Sequence, residues 1–302
     1  MAQHWLGGIA LVIACHLSTA GAAQVSTDVE EGVRTLAHAK TLSTSVERIL
    51  MHGCYVTVGL DDGDRAAISA EIEAFTTAAR TLRDGDDATP ALRARGPLFA
   101  LDRTETAWAD FSDFARFATH GNFNQPYLAR MYDLHVPVVE NAQGVSKRLA
   151  AAYSNARIDA FSSSTLTNFA DMRADATLIA AYHCMLSLDV QPEAARAGLA
   201  ARSESYAKRL EIAFGGSDDA QVLTASVNGV QYLRCLWRSY GVVQERINPV
   251  ADGTQTPSFT DVADLRAQLE YIVNLSDETV GIFTAELKGE EITPSGCTPL
   301  SS

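Results

Sequence analysis

The chain has 302 residues, 47% apolar and 20% charged, a balance that suits a globular protein with a sizeable buried core. Its formal charge is −13, so its surface repels nucleic acid and anionic lipid, and neither is expected as a partner.

The first informative stretch is "WLGGIALVIACHL" (5–17), an apolar run too short for a confident membrane span. Small residues follow in "STAGAAQ". Residues 1–23 therefore read as a secretory signal peptide with an A-x-A-like cleavage site at Ala20-Gly21-Ala22, or one residue later at Ala23, although no Lys or Arg precedes the run. "VIAC", ending at Cys15, offers an alternative: lipoprotein processing with an anchor at that cysteine. Either way the protein is expected outside the cytoplasm, periplasmic or secreted. No later apolar run reaches the roughly 18 residues of a transmembrane helix. No transmembrane span is expected in the mature chain, and no cytoplasmic output domain is recognisable.

The dominant period downstream is helical. From Val33 the stripe runs Leu36, Ala39, Leu42, Val46, Ile49, Gly53, Val56, Leu60; near the other end Val262, Leu265, Leu269, Ile272, Ser276, Val280, Phe283 and Leu287 repeat it. Alternating strand patterns are missing. Pro90, Pro97, Pro126, Pro192, Pro249 and Pro257 fall at expected connections, whereas Pro137 should start or kink a helix. The predicted helices are 27–59, 64–84, 98–119, 127–155, 157–189, 192–213, 218–243 and 258–288. No proline lies between Val138 and Val190, so the fourth and fifth segments can form one long continuous helix joining two units.

The eight segments contain a repeat. Cys54 and Cys184 are 130 residues apart, Phe75 and Tyr206 are 131 apart, and Trp108-x-x-Phe111 precedes Trp237-x-x-Tyr240 by 129. Asp86-Asp87 and Asp218-Asp219 follow the second helix of each set. The predicted fold is all-α: two tandem four-helix bundles, at 27–155 and 157–288, with a tail at 289–302. Large rings along apolar stripes are what bundle cores need, so the aromatic positions require no ligand.

Signatures of catalysis or cofactor binding are missing. There is no Glu-x-x-His pair for a di-iron bundle, no Cys-x-x-Cys-His for haem, no Gly-x-Ser-x-Gly and no phosphate-binding glycine loop. Neither an enzyme nor a bound cofactor is expected. His52 and Cys54 are two apart on a helix and share a face poorly, as do the adjacent His183 and Cys184, so no metal site is expected; a metal or redox site drawing on all four stays as an alternative. Without the leader four cysteines remain: Cys54, Cys184, Cys235 and Cys297. In an oxidising compartment an even number favours two disulfides, over one bond plus two buried thiols. Of three connectivities, the bundle assignment favours Cys184–Cys235 within the second bundle and Cys54–Cys297 from the tail to the first.

"LAHAKTLSTSVERILMHGCYVTVGLD" (36–61) resembles the first helix of PilJ-type domains, the helical sensory domains of type IV pilus methyl-accepting chemotaxis transducers, related to nitrate/nitrite sensors. Ala39, Glu47-Arg48, Ile49, Cys54 and Gly59 take positions of that family's Ala, Gln-Arg, Met, Cys and Gly. "IEAFTTAARTLRDGDD" and "AWADFSDFA" are similar to its second and third helices. The resemblance spans about residues 30–153 and, more weakly, 157–287, as two degenerate tandem copies. It implies a sensory-type module that binds a small ligand, possibly an anion, or a partner protein, with pairing of two copies as a possible homodimer. In the nitrate-sensing relatives an arginine on the first helix contacts the anion where two subunits meet. That position is Ser43 in the first copy and Arg173 in the second; the motif's next arginine is Arg48 in the first and Leu178 in the second. Glu47, Arg48 and Arg173 are thus the ligand-binding candidates. The rival expectation is a structural envelope protein that pairs helices with a protein neighbour and takes no small molecule.

Overall fold

A computed structural model describes residues 16–60, 63–154, 160–215, 227–288 and 297–300. Eight helices account for nearly all of them: α1 (His16–Val58), α2 (Asp64–Asp84), α3 (Arg95–His120), α4 (Gln125–Ser154), α5 (Ala160–Ser187), α6 (Pro192–Gly215), α7 (Val227–Ala251) and α8 (Phe259–Lys288). No strand occurs among the described residues. The expected leader lies mostly outside them, in residues 1–15, and residues 16–23 are the first turns of α1.

The helix ends follow local chemistry. α1 stops at Gly59, whose φ of +81° only glycine adopts without strain. Its N–H bonds to Val56 O at 3.3 Å and the Leu60 N–H to Tyr55 O at 3.0 Å, the paired bonds of a Schellman ending. α8 opens on a capping box: Ser258 Oγ accepts from the Asp261 N–H at 3.2 Å, and Asp261 Oδ2 accepts from the Ser258 N–H at 2.8 Å. α1 begins at His16, ahead of the expected 27, and α7 runs on to Ala251, past the expected 243, while its expected first residues, 218–226, lie outside the described residues. Pro249 lies inside its last turn rather than at a connection, and Pro137 lies inside α4.

The helices pack in two rings. α1 touches α2 and α4, and α3 closes the first ring between them; α5 touches α6 and α8, and α7 closes the second. The predicted stripes are the cores: Ala39, Leu42, Val46 and Ile49 on α1 and Val262, Leu265, Leu269 and Ile272 on α8 are all buried. Burying such side chains contributes about 1.5–3 kcal/mol each, the main favourable term in the fold.

The rings join through α1 and α5, which pack along each other. Lys40 of α1 pairs with Asp171 of α5, and Cys54 of α1 bonds Cys184 of α5, so the two helices run parallel. α4 runs the other way along α1, with Met131 beside Gly53 and Gln143 and Ser146 beside Ser43. α4 and α5 therefore point in opposite directions and are separate helices, not the single long one that the proline-free stretch allowed. Lack of proline permits a helix to continue; it does not require it.

Both α1 and α5 are central. Residues 175–186 of α5 are buried without a break, as expected for a helix covered on all sides. Two glycines give close approach at this centre. A Cβ at Gly53 would stand 3.1 Å from Met131 Sδ, and one at Gly198 would stand 2.6 Å from the Tyr182 ring. The second would force backbone apart, since a ring cannot yield as a thioether can.

The cysteine pairing differs from the expected one. The bonds are Cys54–Cys184 and Cys235–Cys297, with Cα–Cα distances of 6.2 and 6.3 Å. Cys184–Cys235 and Cys54–Cys297 do not form. The reason is the parallel α1–α5 contact, which brings repeat-equivalent positions face to face across the seam and leaves Cys235 to hold the tail. All four cysteines are used, which also removes Cys54 and Cys184 as metal ligands; among the described residues no cluster of potential ligands could hold a metal ion. No helix among the described residues is long and apolar enough to cross a membrane.

Candidate functional site

Several buried polar residues, Ser43, Ser45, Glu47, Asp175 and Thr177 among them, gather where α1 meets α5. Two cavities flank this contact, one on each side. The first, ≈ 360 Å³, lies among α1, α4, α5 and α6. The second, ≈ 320 Å³, lies among α1, α2 and α5. Both volumes fall in the range of small-ligand pockets.

The second cavity holds two of the three candidates from the sequence. Arg48 of α1 and Arg173 of α5 both line it, one from each bundle. Each is already paired: Arg48 Nη1 donates to Glu71 Oε1 at 3.0 Å, and Arg173 Nη1 lies 2.9 Å from Asp277 Oδ1. Each guanidinium has five N–H donors, so one ion pair does not exhaust it. Ser45, whose Oγ donates to Glu71 Oε2 at 2.8 Å, Thr41 and Thr177 add to the polar wall, together with Lys40 and Thr44, which line the first cavity too.

Glu47 lines the first cavity instead. Successive helical residues are about 100° apart, so neighbours in sequence face opposite sides of the seam. Its side chain is 1% exposed, and Oε2 has no hydrogen-bond partner among the described residues. Burial pushes the carboxyl up to about 8; Arg202 and Lys40 pull it down, while Asp175 and Asp171 push it further up. Glu47 is thus mostly a neutral acid at pH 7. Ser146 Oγ of α4 is likewise buried without a partner, and it lines the same cavity.

The remaining charges of the first cavity form a network that the sequence reading missed. Asp175 of α5 is buried and accepts from Arg202 Nη1 at 3.0 Å, Arg209 Nε at 3.1 Å and Ser205 Oγ at 2.7 Å. Burial raises its carboxyl, opposed by the hydrogen bonds from Ser205 and Arg202. Arg209 also reaches Asp171 at 3.0 Å, and Asp171 pairs with Lys40 across the seam. A signal was available in the sequence: Asp171 and Asp175 are one helical turn apart on α5, and Arg202 and Arg209 are two turns apart on α6.

His52 and His183 have structural positions. His52 Nδ1 lies 2.6 Å from Asp64 Oδ1, and Arg266 of α8 donates to Asp64 Oδ2 at 2.8 Å while its guanidinium sits 4.5 Å over the Tyr55 ring. Burial would lift the Asp64 carboxyl, but the hydrogen bonds from His52 and Arg266 hold it below its usual range. This cluster locks the second bundle to the end of α1. His183 is buried, and burial depresses its imidazole to about 4, so it is neutral at pH 7.

Compared with protein-family models, with curated proteins and with solved structures, the chain matches none, so the seam's own geometry carries the functional argument.

Proposed function

We propose that the protein is an exported helical module of the sensory type, related to PilJ-like domains, that binds a small ligand at the seam between its two bundles. The carrying observation is that Arg48 and Arg173, from different bundles, line one cavity beside the α1–α5 contact. Two guanidiniums converging on one hollow suit an anion, which each can hold by charge-assisted hydrogen bonds. A ligand there would touch both bundles at once and so bias their relative placement. The buried Cys54–Cys184 bond suits an oxidising compartment, in keeping with export.

Thermal-shift measurements on the mature protein against nitrate, sulfate, phosphate and short carboxylates test this. At least one anion is expected to raise the melting temperature, and Arg48→Ala and Arg173→Ala each to remove the shift. Failure of every anion to stabilise the wild type would overturn the anion assignment.

A second function has one observation in its favour. Trp237 and Phe214 are 44% and 40% exposed and meet edge-to-face with ring centroids 5.6 Å apart. Exposed paired rings suit a protein neighbour in the cell envelope. Crosslinking in cells from position 237 would show a stoichiometric neighbour if this is the working surface.

A further inference from the structure

We propose that the first cavity, on the opposite side of the seam from the two arginines, is a binding site for a small zwitterion of the α-amino-acid type, its ammonium seated on Glu47 and Ser146 and its carboxylate toward Lys147. It does not depend on the arginine cavity.

Three observations converge. Glu47 Oε2 and Ser146 Oγ are buried acceptors with no partner among the described residues, and both line this cavity. An unsatisfied buried polar atom costs about 1–3 kcal/mol, so two on one wall call for a hydrogen-bonding partner. An ammonium has three N–H donors and can serve both.

Charge balance adds the second half of the ligand. The groups that face Glu47 are Arg202 and Lys40 with positive charge and Asp175 and Asp171 with negative, besides the Tyr182 hydroxyl. With Arg209 counted, three cations meet two paired carboxylates, while Glu47 is a neutral acid. When an ammonium takes the place of the Glu47 proton, the charge at that point is unchanged: the O–H proton leaves to solvent, and the carboxylate left behind pairs with the ammonium. The cationic surplus persists, and a ligand carboxylate answers it. Lys147, exposed on the rim and in no ion pair among the described residues, is placed to receive that carboxylate. A simple amine would leave the surplus in place, and a simple anion, accepting from the O–H groups of neutral Glu47 and Ser146, would release no proton.

The sign of the proton exchange separates the possibilities. Isothermal titration of the mature protein with the common α-amino acids, acetate and methylamine is run at pH 7 in two buffers of different ionisation enthalpy. At least one amino acid is expected to bind with release of about one proton, and more tightly than acetate or methylamine. Glu47→Gln removes the release and weakens that amino acid about tenfold or more. Lys147→Ala, at an exposed position that does not endanger folding, weakens it several-fold with the release retained. The assignment is overturned if no amino acid binds, which leaves water as the only occupant; if acetate binds as tightly as the amino acids; or if Glu47→Gln still releases a proton. Arg48→Ala and Arg173→Ala leave amino-acid binding unchanged, so failure of the anion site and failure of this one are told apart.

Discussion

The two bundles share a plan and differ in their polar chemistry. Each stacks a ring from its second helix on a ring from its third: Phe75 on Trp108 at 3.7 Å between centroids, and Tyr206 on Tyr240 at 4.1 Å. The polar bridge between the first two helices of each bundle is reversed. In the first, α1 supplies the donors Ser45 and Arg48 to a carboxylate on α2, Glu71; in the second, α5 supplies the carboxylate, Asp175, to donors on α6, Arg202 and Ser205. With the repeat spacing of 130 fixed by Cys54 and Cys184, Glu47 corresponds to Thr177 and Lys147 to Asp277. The two cavities are thus equivalent in position and different in chemistry. Packing constrains volume and stripe, and a polar bridge can be built from either side, so the fold persists while the sites diverge.

The comparison can be broken most sharply at the rings. Trp108 is buried at 8% exposure, while its sequence counterpart Trp237 is 44% exposed. Trp108→Ala should cost about 3–5 kcal/mol in urea unfolding and Trp237→Ala less than about 1. Equal losses would mean the two bundles use the Trp position alike.

Removing the bond between the bundles comes next. The Cys54→Ser/Cys184→Ser double variant should lose about 2–4 kcal/mol and unfold in two steps, where the bonded protein unfolds in one. Calorimetry distinguishes these. A single transition in the variant would show that α1–α5 packing alone couples the bundles.

pH separates the seam from the bundle interiors. Glu47, raised from 4.5 to about 8, binds a proton more tightly in the folded state, so its contribution is full below pH 4.5 and is lost as pH rises to about 8. Glu47→Gln should therefore be more stable than wild type at pH 9 and about equal to it at pH 5. His135 and His183, in α4 and α5, run oppositely: burial lowers both to about 4, so their contribution is present above pH 6.5 and is lost as pH falls toward 4. Denaturation midpoints across pH 4–9 give both limbs. The smallest effect is Arg48→Ala, about 0.5 kcal/mol, because the Arg48–Glu71 pair is partly exposed.

Much of the fold was legible because stripes and punctuation are local. The α1 stripe from Ala39 to Ile49 follows from spacing, with no knowledge of neighbours, and the helix ends at Val58, one residue from the expected 59. What joins distant segments was not. The cysteine pairing failed because it was reasoned within each bundle, whereas Cys54 meets Cys184 across a contact that no periodicity announces. Trp237 has the same spacing to Tyr240 as Trp108 has to Phe111, yet Tyr240 is buried while Trp237 is 44% exposed, and spacing alone does not tell the two positions apart. Arg48 and Arg173 were found by their places in the two copies, and the structure puts them on one cavity. Asp171, Asp175, Arg202 and Arg209 were missed because their significance lies in convergence, and a string of residues shows charge without showing which faces meet.

The Cys54–Cys184 bond joins the same position of two parallel helices. In a symmetric pair of separate bundles arranged this way, that position would lie near the twofold axis, and one cysteine would bond to its own copy. The tandem chain contains such a pair within one molecule. A symmetric pair must keep identical residues on both sides of its axis, so any pocket it builds there occurs twice. One chain carrying both halves is free of that rule: a carboxylate can be placed on one side and a threonine on the other, and the two sides of one seam can serve two different ligands.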